Sequence, residues 1–388
     1  MEHFRMILLV ILALVGALVF AFVLYFAFAP RIGSNPSGER LARIQVSPNY
    51  KEGKFQNVVA TNMDMPMGKM LSVLVEFMKG GEGRGPKDII PTVDLDLTAW
   101  KAVPDTSFAV AWFGHSSLLI KMGGTTFLID PVFGERASTF SFAGPKRFKY
   151  RQHMRVDLLP AVDVVLISHD HYDHLDHETI TNLIRVSKLA RSAAEGSNPD
   201  LRFITTLGVG AHLEYWGVPA DRITEKDWWE SLDVGSTKLT LAPARHFSGR
   251  SMANRCSTLW GSWVMEANGQ KVYFGADSGY SPTFKEVGER SGPFDLALLE
   301  CGAYNDQWAD IHMKPEETAQ AAVDLRTKVL MPIHWGKFSL AMHTWKGPVE
   351  RLTVKAKELG VPMLTPRVGA IVTNADPSRS ERWWDGLE

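Results

Sequence analysis

The chain has 388 residues, of which 45% are hydrophobic and 22% are charged, and its formal net charge at pH 7 is −1. This composition predicts a folded protein with a large buried core and argues against a disordered chain. The balanced charge provides no general attraction to nucleic acid, so no nucleic-acid partner is expected. Cys256 and Cys301 are the only cysteines, which argues against a disulfide framework or a cysteine zinc site and predicts two buried thiols.

The first element in chain order is an apolar segment from Met6 to Phe28 that carries no charge. As a helix, such a segment would be about 33 Å long, enough to cross the hydrocarbon core of a bilayer. We therefore predict an N-terminal transmembrane anchor within residues 1–30. The alternative is a cleavable signal peptide, because Ala27-Phe28-Ala29 matches an A-x-A cleavage pattern. The length of the apolar stretch and the following Pro30 favour the anchor, and the flanking arginines weakly favour a cytoplasmic catalytic domain.

Residues 31–104 are predicted to form a linker and N-terminal extension, because they are rich in Gly, Pro and Asn. One helix is predicted within them, from Met67 to Lys79, where apolar residues recur at i, i+3, i+4 and i+7. The pattern favours a helix packed on the core, and the alternative is a helix that dips into lipid. Its apolar positions are Met67, Met70, Leu71, Leu74, Phe77 and Met78.

Residues 105–388 are predicted to form the catalytic domain, in which strand patterns are followed by helix patterns. By periodicity alone this is a mixed α/β chain. The predicted strands are Ser107 to Phe113, Ser117 to Met122, Thr125 to Ile129, Ala161 to Ser168, Lys238 to Ala242, Trp260 to Ala267, Lys271 to Gly275, Leu296 to Leu299 and Lys328 to Ile333. The predicted helices are His177 to Leu189, Lys314 to Arg326 and Pro348 to Leu359.

The segment SHDHYDHLD, residues 168–176, reads H-x-H-x-D-H and directly follows an apolar, β-branched strand pattern. On a turn that leaves a strand, His169 and His171 can converge on one metal ion while Asp173 and His174 reach a second. Neutral imidazole and carboxylate oxygen suit zinc, with manganese or iron(II) as competitors. The alternative interpretation is a polar surface loop that happens to be rich in His and Asp.

Two ions need more ligands than one loop supplies, and three further candidates, His246, Asp277 and His334, follow short apolar runs. Asp277 is predicted to lie between the ions, with room for a bridging water. The predicted sets are His169, His171 and His246 on one ion, and Asp173, His174 and His334 on the other.

The order and setting of these residues resemble the metallo-β-lactamase superfamily of hydrolases, from roughly Val103 to Val372. The resemblance implies an α/β fold of the αβ/βα sandwich type, here preceded by the predicted transmembrane helix. A true β-lactamase usually lacks a metal-binding His after the motif Asp, whereas His174 follows Asp173. Lactam cleavage is therefore not expected.

Several other stretches resemble the N-acylphosphatidylethanolamine-hydrolysing phospholipase D group and its bacterial relatives. Cys301 departs from that group, because an aliphatic residue or Pro is expected there. The matching stretches are Trp112 to Ser117 (WFGHSS), Ile129 to Phe133 (IDPVF), Arg136 to Ser138, Gly144 to Phe148, Gly275 to Tyr280 (GADSGY), Gly302 to Tyr304, His312 to Glu317 and Pro332 to Gly336 (PIHWG).

This resemblance implies a phosphodiesterase of the phospholipase D type with two zinc ions and a metal-bridging hydroxide as nucleophile. N-acylphosphatidylethanolamine or a similar membrane phospholipid is the expected substrate, and the lipid bilayer is the expected partner through the N-terminal helix. Asp277 is expected to bridge the ions, and Asp173 to orient the hydroxide or carry its proton. His312 is expected to contact the substrate or to support a metal ligand, and the alternative is a histidine of the surface or the core.

Five residues are predicted around the site. His115 is expected to be buried and to hold the strands of the site by hydrogen bonds. Asp176 is expected either to receive an imidazole N–H or to cap the helix that begins near His177. The remaining three could line a lipid cleft, with core packing as the alternative: Tyr280, Tyr304 and Trp335.

Two other functions stay open. A lactonase or esterase of the same fold would act on a small polar substrate, and a non-catalytic membrane protein would use the fold for binding. The expected location is a bacterial inner membrane, to which the chain would be attached by its single N-terminal anchor. The sequence leaves open the metal in the cell, the acyl-chain preference and whether the active unit is a monomer or a homodimer.

Overall fold

The computed structural model describes residues 1–63, 66–189 and 201–388. Its helices are α1 (Glu2–Phe28), α2 (Gly38–Gln45), α3 (Met67–Lys79), α4 (Leu97–Ala102), α5 (His177–Leu189), α6 (Gly210–Tyr215), α7 (Thr283–Ser291), α8 (Pro315–Asp324) and α9 (Gly347–Glu358). Its strands are β1 (Tyr50–Lys51), β2 (Lys54–Phe55), β3 (Ala109–Trp112), β4 (Leu118–Met122), β5 (Thr125–Ile129), β6 (Val164–Leu166), β7 (Arg202–Thr206), β8 (Ile223–Lys226), β9 (Ser231–Val234), β10 (Thr237–Ala242), β11 (Ser262–Ala267), β12 (Gln270–Phe274), β13 (Leu296–Glu300), β14 (Leu330–Ile333) and β15 (Ile371–Thr373).

Two sheets form the centre of the fold. The first has the strand order β15-β3-β4-β5-β6-β7-β8 and the second β14-β13-β12-β11-β10-β9. Neighbouring strands from β5 to β8 are parallel, as are those from β12 to β14, and the other pairs within these sheets are antiparallel. Each sheet therefore has several strands that point their carboxyl ends to one edge.

The main hydrophobic core contains residues of both sheets, such as Phe127 and Trp263, and residues of α7 and α9, such as Val287 and Leu352. A second cluster packs α5 and α6 on the first sheet. Helices thus cover the outer faces of two packed sheets, which is the αβ/βα sandwich. The predicted α/β class is confirmed.

Most predicted elements have the expected place. The bounds of α5 and β5 are those predicted from the sequence, whereas β6 is shorter than the predicted strand. Strands β7, β8, β9 and β15 and helices α2, α4, α6 and α7 were not predicted. These elements are short or carry weak apolar patterns, so local sequence gives little signal for them.

The N-terminal segment forms the continuous helix α1. Among residues 1–63, 66–189 and 201–388, no helix has both the length and the apolar composition that a membrane crossing requires. The predicted transmembrane anchor is therefore not supported.

The extension between α1 and the catalytic domain is packed on the domain. Ile44, Phe55, Ile90 and Trp100 are almost completely buried in its cores. The carbonyl of Arg31, just after α1, accepts hydrogen bonds from the side chain of Arg250. Apolar contacts and hydrogen bonds therefore fix much of a segment whose composition suggested a linker.

Helix α3 has the predicted bounds, but most of its apolar side chains face solvent and not the protein. The side chains of Lys69, Val73 and Phe77 are half-buried, and none of its residues is fully buried. The expectation that its apolar stripe packs on the core was wrong, because five of the six predicted apolar positions are exposed and only Phe77 is half-buried. We call the exposed set the α3 apolar face: Met67, Met70, Leu71, Leu74, Val75 and Met78.

Candidate metal centre

The candidate ligands lie at one edge of the sandwich because they follow strands that run in the same direction. His169 follows β6 in the first sheet, and His246 follows β10 in the second. Asp277 and His334 follow the parallel strands β12 and β14. Carboxyl ends of such strands meet at the same edge, which brings residues distant in sequence into one site.

Several residues at these strand ends have a left-handed backbone, although none is glycine. The φ angles are +55° at His115, +39° at Asp130, +51° at Ala276 and +63° at His334. Such conformations cost roughly 1–3 kcal/mol each and persist only where the surrounding contacts impose them. They turn the chain sharply where the strands end. At His334 the residue with this backbone is itself a candidate ligand, and at Ala276 the next residue, Asp277, is one.

The first cluster of candidate ligands comprises His169, His171, His246 and Asp277. Nδ1 of His171 lies 3.0 Å from Nε2 of His169 and 3.2 Å from Nε2 of His246. Oδ2 of Asp277 lies 3.9 and 3.7 Å from the same two Nε2 atoms. Three imidazole nitrogens and one carboxylate oxygen thus lie close together; that they bind one ion stays a prediction.

The second cluster comprises His115, Asp173, His174 and His334. Nε2 of His334 lies 3.3 Å from Oδ2 of Asp173 and 3.1 Å from Oδ2 of Asp277. Nε2 of His174 lies 3.1 Å from Oδ1 of Asp277. Asp277 therefore contacts both clusters and occupies the predicted place between them.

The rings are oriented by hydrogen bonds on the side away from the site. Nδ1 of His169 contacts Oγ of Ser168 at 2.9 Å, Nδ1 of His174 contacts Asp130 at 2.7 Å, and Nδ1 of His246 donates to the carbonyl of Ile311 at 3.0 Å. A proton held on Nδ1 leaves the Nε2 lone pair for a metal ion. Such partners are typical of metal-binding histidines.

The donor set fits a metal ion. Nε2 of His174, Nε2 of His334 and Oδ1 of Asp277 are buried and form no hydrogen bond within the described ranges. Buried polar atoms without partners are costly and rare. Because these atoms converge with other imidazole and carboxylate groups, a divalent cation of the zinc, manganese or iron(II) type would satisfy them.

Burial and mutual contacts set the charges of the site. Burial and the neighbouring His334 lower the pKa of His115 to about 3, so its imidazole is neutral at pH 7. Burial also holds the pKa of His169 and His246 well below the usual range. For Asp277 burial acts in the opposite direction, but the adjacent His174 and His334 outweigh it and keep the pKa well below its usual range. Burial lowers the pKa of His174 and His334 as well, but the carboxylates of Asp277 and Asp173 outweigh it and raise the pKa of His174 well above its usual range and that of His334 to about 10. The site thus combines the neutral imidazoles of His115, His169 and His246 with carboxylates that favour positive charge between them.

His115 acts on the site through Asp173. Its Nε2 contacts Oδ2 of Asp173 at 2.9 Å, and its side chain is only 1% exposed. Its backbone N–H donates to the carbonyl of Trp335, and its own carbonyl accepts from the N–H of His334. The structure therefore places His115 where the sequence analysis expected a buried residue that holds the strands together.

Asp130 is a functional residue that the sequence analysis missed. Its carboxylate is fully buried and accepts from the backbone N–H of Ser168 at 2.8 Å and from Oγ of Ser168 at 2.5 Å, besides contacting His174. The rule that selected His246, that polar residues follow apolar strands, also selects Asp130 after β5. Applying the rule upstream of the histidine motif would have found it.

Asp170 and Arg250 form hydrogen bonds that stabilise the loop of residues 168–176, and the sequence analysis did not predict either role. Asp170 accepts from the N–H of Gly249 at 2.7 Å and from Oγ1 of Thr258 at 2.8 Å, and it contacts Nε2 of His212 at 3.2 Å. Nη1 of Arg250 donates to the carbonyls of Asp170 and Leu175. These partners come from distant loops, so no local pattern in the sequence indicates them.

Asp176 is a helix cap. Its carboxylate accepts from the backbone N–H of Thr179 at 3.1 Å and from the N–H of Gly134 at 2.9 Å. It contacts no imidazole within the described part of the chain, since the partner of His174 is Asp130. Of the two roles predicted for Asp176, acceptance of an imidazole N–H and capping of a helix, the structure shows the second.

The aromatic candidates lie mostly outside the site. The hydroxyl of Tyr280 donates to Asp324, and Nη1 of Arg351 donates to the hydroxyl of Tyr304. Trp335 is 3% exposed and stacks on other tryptophans of the core. Trp335 is therefore packed in the core, and it also lines the cleft beside the second cluster.

His312 lies beside the ligands. Its ring is stacked on that of His334, with centroids 5.2 Å apart, and its edge faces His246 at 5.1 Å. Nδ1 of His312 lies 2.6 Å from Oε2 of Glu300, a fully buried carboxylate at the end of β13. Burial raises the pKa of Glu300, and the imidazole of His312 opposes that rise. Glu300 also follows the strand-end rule and was not predicted.

A narrow cleft lies next to the second cluster, with a cavity volume of about 10 Å³. Among the residues that line it are His115, His334, Phe148, Trp345 and Arg84. Arg84 forms no ion pair with a described residue; its Nε is buried without a hydrogen-bond partner, and its Nη1 donates to the backbone carbonyl of Glu76. The guanidinium lies 5.6 Å from the ring of Phe77 on α3. The cleft thus combines apolar walls with a cation that has no acidic partner.

Comparison with known proteins identifies the family. A family model described as a β-lactamase superfamily domain matches residues 125–335, just over half of the chain. An uncharacterized protein of Mycobacterium tuberculosis is 40% identical over 342 residues, which cover 87% of each chain. An N-acyl-phosphatidylethanolamine-hydrolyzing phospholipase D 1 of Caenorhabditis elegans is 32% identical over 255 residues, which cover 63% of this chain and 68% of that protein.

The fold is also similar to that of an isothiocyanate hydrolase from Delia radicum gut bacteria. The TM-score is 0.51 at 19% identity, and the match covers 68% of this chain and 98% of the other. At this identity the similarity concerns the fold alone. Together with the family match and the clustered ligands, these findings show that the chain belongs to the metallo-β-lactamase superfamily and is a metal-dependent hydrolase.

Proposed function

We propose that the protein is a zinc-dependent phosphodiesterase of the phospholipase D type that acts on N-acylphosphatidylethanolamine-like phospholipids. The observation that carries the hydrolytic part is the position of Asp277, whose Oδ2 lies 3.7 Å from Nε2 of His246 in the first cluster and whose Oδ1 lies 3.1 Å from Nε2 of His174 in the second. Sites with two adjacent ions suit in-line displacement at phosphorus. The similarity to the Caenorhabditis elegans phospholipase supports the substrate class.

When bound, the ions would acidify a shared water and neutralise charge on the phosphodiester. The protein groups would hold the reacting atoms in place. His115 fixes the carboxylate of Asp173, and Asp130 fixes the ring of His174. The ring of His312 lies next to His246 and His334 with its Nε2 unbonded in the described structure, so it can exchange a proton with the substrate.

Arg84 supports an anionic substrate over a neutral lactone. A guanidinium without an acidic partner, partly shielded by Phe77, is a strong donor for a phosphate oxygen. Arg84→Gln should raise KM for a phosphodiester about tenfold, or about 1.4 kcal/mol, and leave KM for a neutral ester unchanged. Arg290→Gln, which removes a surface charge paired with Glu286, is the matched control.

We also propose that the α3 apolar face contacts the lipid surface. Leu71 and Leu74 are 52% and 53% exposed. The helix adjoins the cleft, because Arg84 donates to the carbonyl of Glu76. Helix α1 presents further exposed apolar side chains, such as Leu9. Lipid contact through α3 would bring the headgroup to the side of the protein on which the cleft opens.

The α3 proposal is tested with Leu71→Glu/Leu74→Glu. If the two leucines are partly buried in lipid, replacing them should make the free energy of binding to the lipid surface less favourable by about 2–4 kcal/mol. We expect kcat/KM on vesicles of phosphatidylcholine with an N-acylated phospholipid to fall at least about tenfold, while turnover of a soluble diester is retained. Val354→Glu, at an exposed position of α9, should behave like the wild type. Equal activity of both variants on vesicles would contradict the proposal.

The substrate proposal is tested with metal-analysed protein in detergent micelles. N-acylphosphatidylethanolamine, a lactone and a soluble bis-aryl phosphodiester are compared with and without chelator. Chelator-sensitive release of N-acylethanolamine with about two zinc ions per chain is the expected result. Turnover of the lactone alone would favour the lactonase or esterase alternative and overturn the lipid assignment.

A further inference from the structure

Glu300 is an acidic residue in an otherwise apolar strand. Strand β13 reads LALLE and all five of its residues are buried, with Glu300 at 0% exposure. The parallel neighbours β12 and β14 place it between Asp277 and His334. A carboxylate is rarely buried without a specific partner, so its contacts indicate its role.

The two oxygens of Glu300 have different partners. Oε1 accepts from the backbone N–H of Ser278 at 2.8 Å and of Met313 at 3.2 Å. Oε2 contacts Nδ1 of His312 at 2.6 Å and lies 3.8 Å from Nδ1 of His334. Because both N–H groups are donors, Oε1 has to be an acceptor. Oε2 is then the atom that determines the proton position on His312.

His312 has one ring nitrogen bonded and one available. Its Nδ1 is taken by Glu300, whereas its Nε2 forms no hydrogen bond with any described residue, and the side chain is 12% exposed. The ring lies against two candidate metal ligands, His334 and His246. Its free nitrogen is therefore at the site and not in the core.

We propose that Glu300 is a positioning residue that keeps the proton of the neutral His312 ring on Nδ1 and thereby presents the Nε2 lone pair to the reacting groups. Nε2 then takes a proton from the attacking water as the new oxygen–phosphorus bond forms. Because the alcohol leaves on the opposite side of phosphorus, a solvent water relays that proton from the imidazolium to the leaving alcohol oxygen as the old phosphorus–oxygen bond breaks. The step balances without a further reactant, and it rests on the proposed phosphodiesterase function but not on the identity of the lipid.

Glu300→Gln makes a sharp test because the two N–H donors fix the orientation of the new amide. Its oxygen must accept from Ser278 and Met313, so its NH₂ group faces Nδ1 of His312. An NH₂ donor there requires Nδ1 to be unprotonated, which moves the proton to Nε2. The substitution should therefore reverse the tautomer of His312 with little change in shape.

The first readout is independent of activity. Long-range ¹⁵N–¹H correlation of the histidine rings, assigned by comparison with His312→Asn, should show the Nδ1–H form of His312 in the wild type. Glu300→Gln should show the Nε2–H form. An unchanged tautomer in Glu300→Gln, or an Nε2–H form in the wild type, overturns the proposal whether or not the protein hydrolyses lipids.

The second readout is the leaving-group dependence of kcat. General acid–base groups contribute about 10²–10⁴ in rate, so Glu300→Gln should lower kcat on an alkyl phosphodiester about 10²-fold with KM and zinc content unchanged. A p-nitrophenyl diester, whose leaving group needs no proton, should lose less than about tenfold. In the His312→Ala background, Glu300→Gln should have no further effect, since residues that act as a unit are not additive.

Glu225→Gln is the matched control for a purely structural carboxylate. Glu225 is 8% exposed and, like Glu300, accepts from two backbone N–H groups, those of Gly208 and Gly210. It should lower thermal stability without a leaving-group effect. Equal losses on both diesters in Glu300→Gln, or effects that add to those of His312→Ala, would assign Glu300 to structure alone. If the wild type hydrolyses no diester, the phosphodiesterase function fails and the tautomer experiment still decides the role of Glu300.

Discussion

Asp130→Asn is predicted to weaken the binding of one of two metal ions. Asp130 contacts His174 on the side opposite the candidate metal and also accepts from Ser168. Each hydrogen bond to a charged group contributes about 1.5–3 kcal/mol. Losing three such bonds in Asp130→Ala would cost about 5–9 kcal/mol, which is comparable with the total stability of a domain. Asn has nearly the same volume as Asp and keeps one oxygen that accepts hydrogen bonds, so the Asp130→Asn variant should fold.

The effect of Asn on the metal follows from the positions of the donors. Oδ1 must stay an acceptor for the N–H of Ser168, so the amide NH₂ takes the place of Oδ2 and faces Nδ1 of His174. This favours a proton on Nε2, the nitrogen that faces the second cluster. Loss of such a partner lowers metal affinity about 10–100-fold, which corresponds to about 1.4–2.7 kcal/mol.

The assay is a competition titration of metal-free protein with a chromophoric zinc chelator, which resolves the two binding steps. One dissociation constant should rise by the factor given above, and the other should change less, because Asp130 reaches the cluster of His169, His171 and His246 indirectly, through Oγ of Ser168, which contacts Nδ1 of His169. Asp176→Asn is the control, since it changes a buried carboxylate that caps α5. Unchanged constants in Asp130→Asn, or an equal change in Asp176→Asn, would refute the reasoning.

Three further predictions concern activity, pH and packing. Asp277→Ala should abolish hydrolysis and lower the zinc content while the circular dichroism spectrum is retained, because both clusters lose a ligand; retained activity would contradict a two-metal mechanism. Burial lowers the pKa of Lys337 to about 7, below its value in the unfolded chain, so the unfolded state binds more protons from about pH 7 to about pH 10 and stability rises with pH there. Denaturant titrations should show the unfolding free energy of the wild type rising by up to about 4 kcal/mol relative to Lys337→Met over that range, and parallel curves would exclude a neutral buried lysine. Gly302→Ala should reduce metal affinity and stability by about 1–3 kcal/mol, because the new Cβ would lie 2.2 Å from the carbonyl oxygen of His334. Calorimetry with and without zinc measures both effects, and an unchanged melting temperature in both conditions would contradict this prediction.

Some of the site could be predicted because metal chemistry restricts residue type and strand ends restrict place. His, Asp and Glu directly after apolar runs are uncommon, so His246, Asp277 and His334 could be selected without knowing the fold. The same rule would also have selected Asp130 and Glu300. Their roles could not have been assigned, since the sequence does not show that Asp130 meets His174 or that Glu300 meets His312.

Orientation was the part that local patterns could not decide. The apolar stripe of α3 predicted its bounds, but periodicity only says that one face is apolar and not which face meets the protein. The composition of residues 31–104 suggested a linker, although Ile44 and Trp100 are buried in the cores. Packing of distant segments decided both cases.

The sequence by itself determined the fold class, the order of the candidate ligands and the chemistry of their donor atoms, because strand periodicity and ligand type are local properties. The tertiary structure decided which strands share an edge, that Asp277 lies between two clusters, and which nitrogen of each imidazole faces the site. These features depend on hydrogen bonds such as those of Asp130 and Glu300, which join residues far apart in the chain.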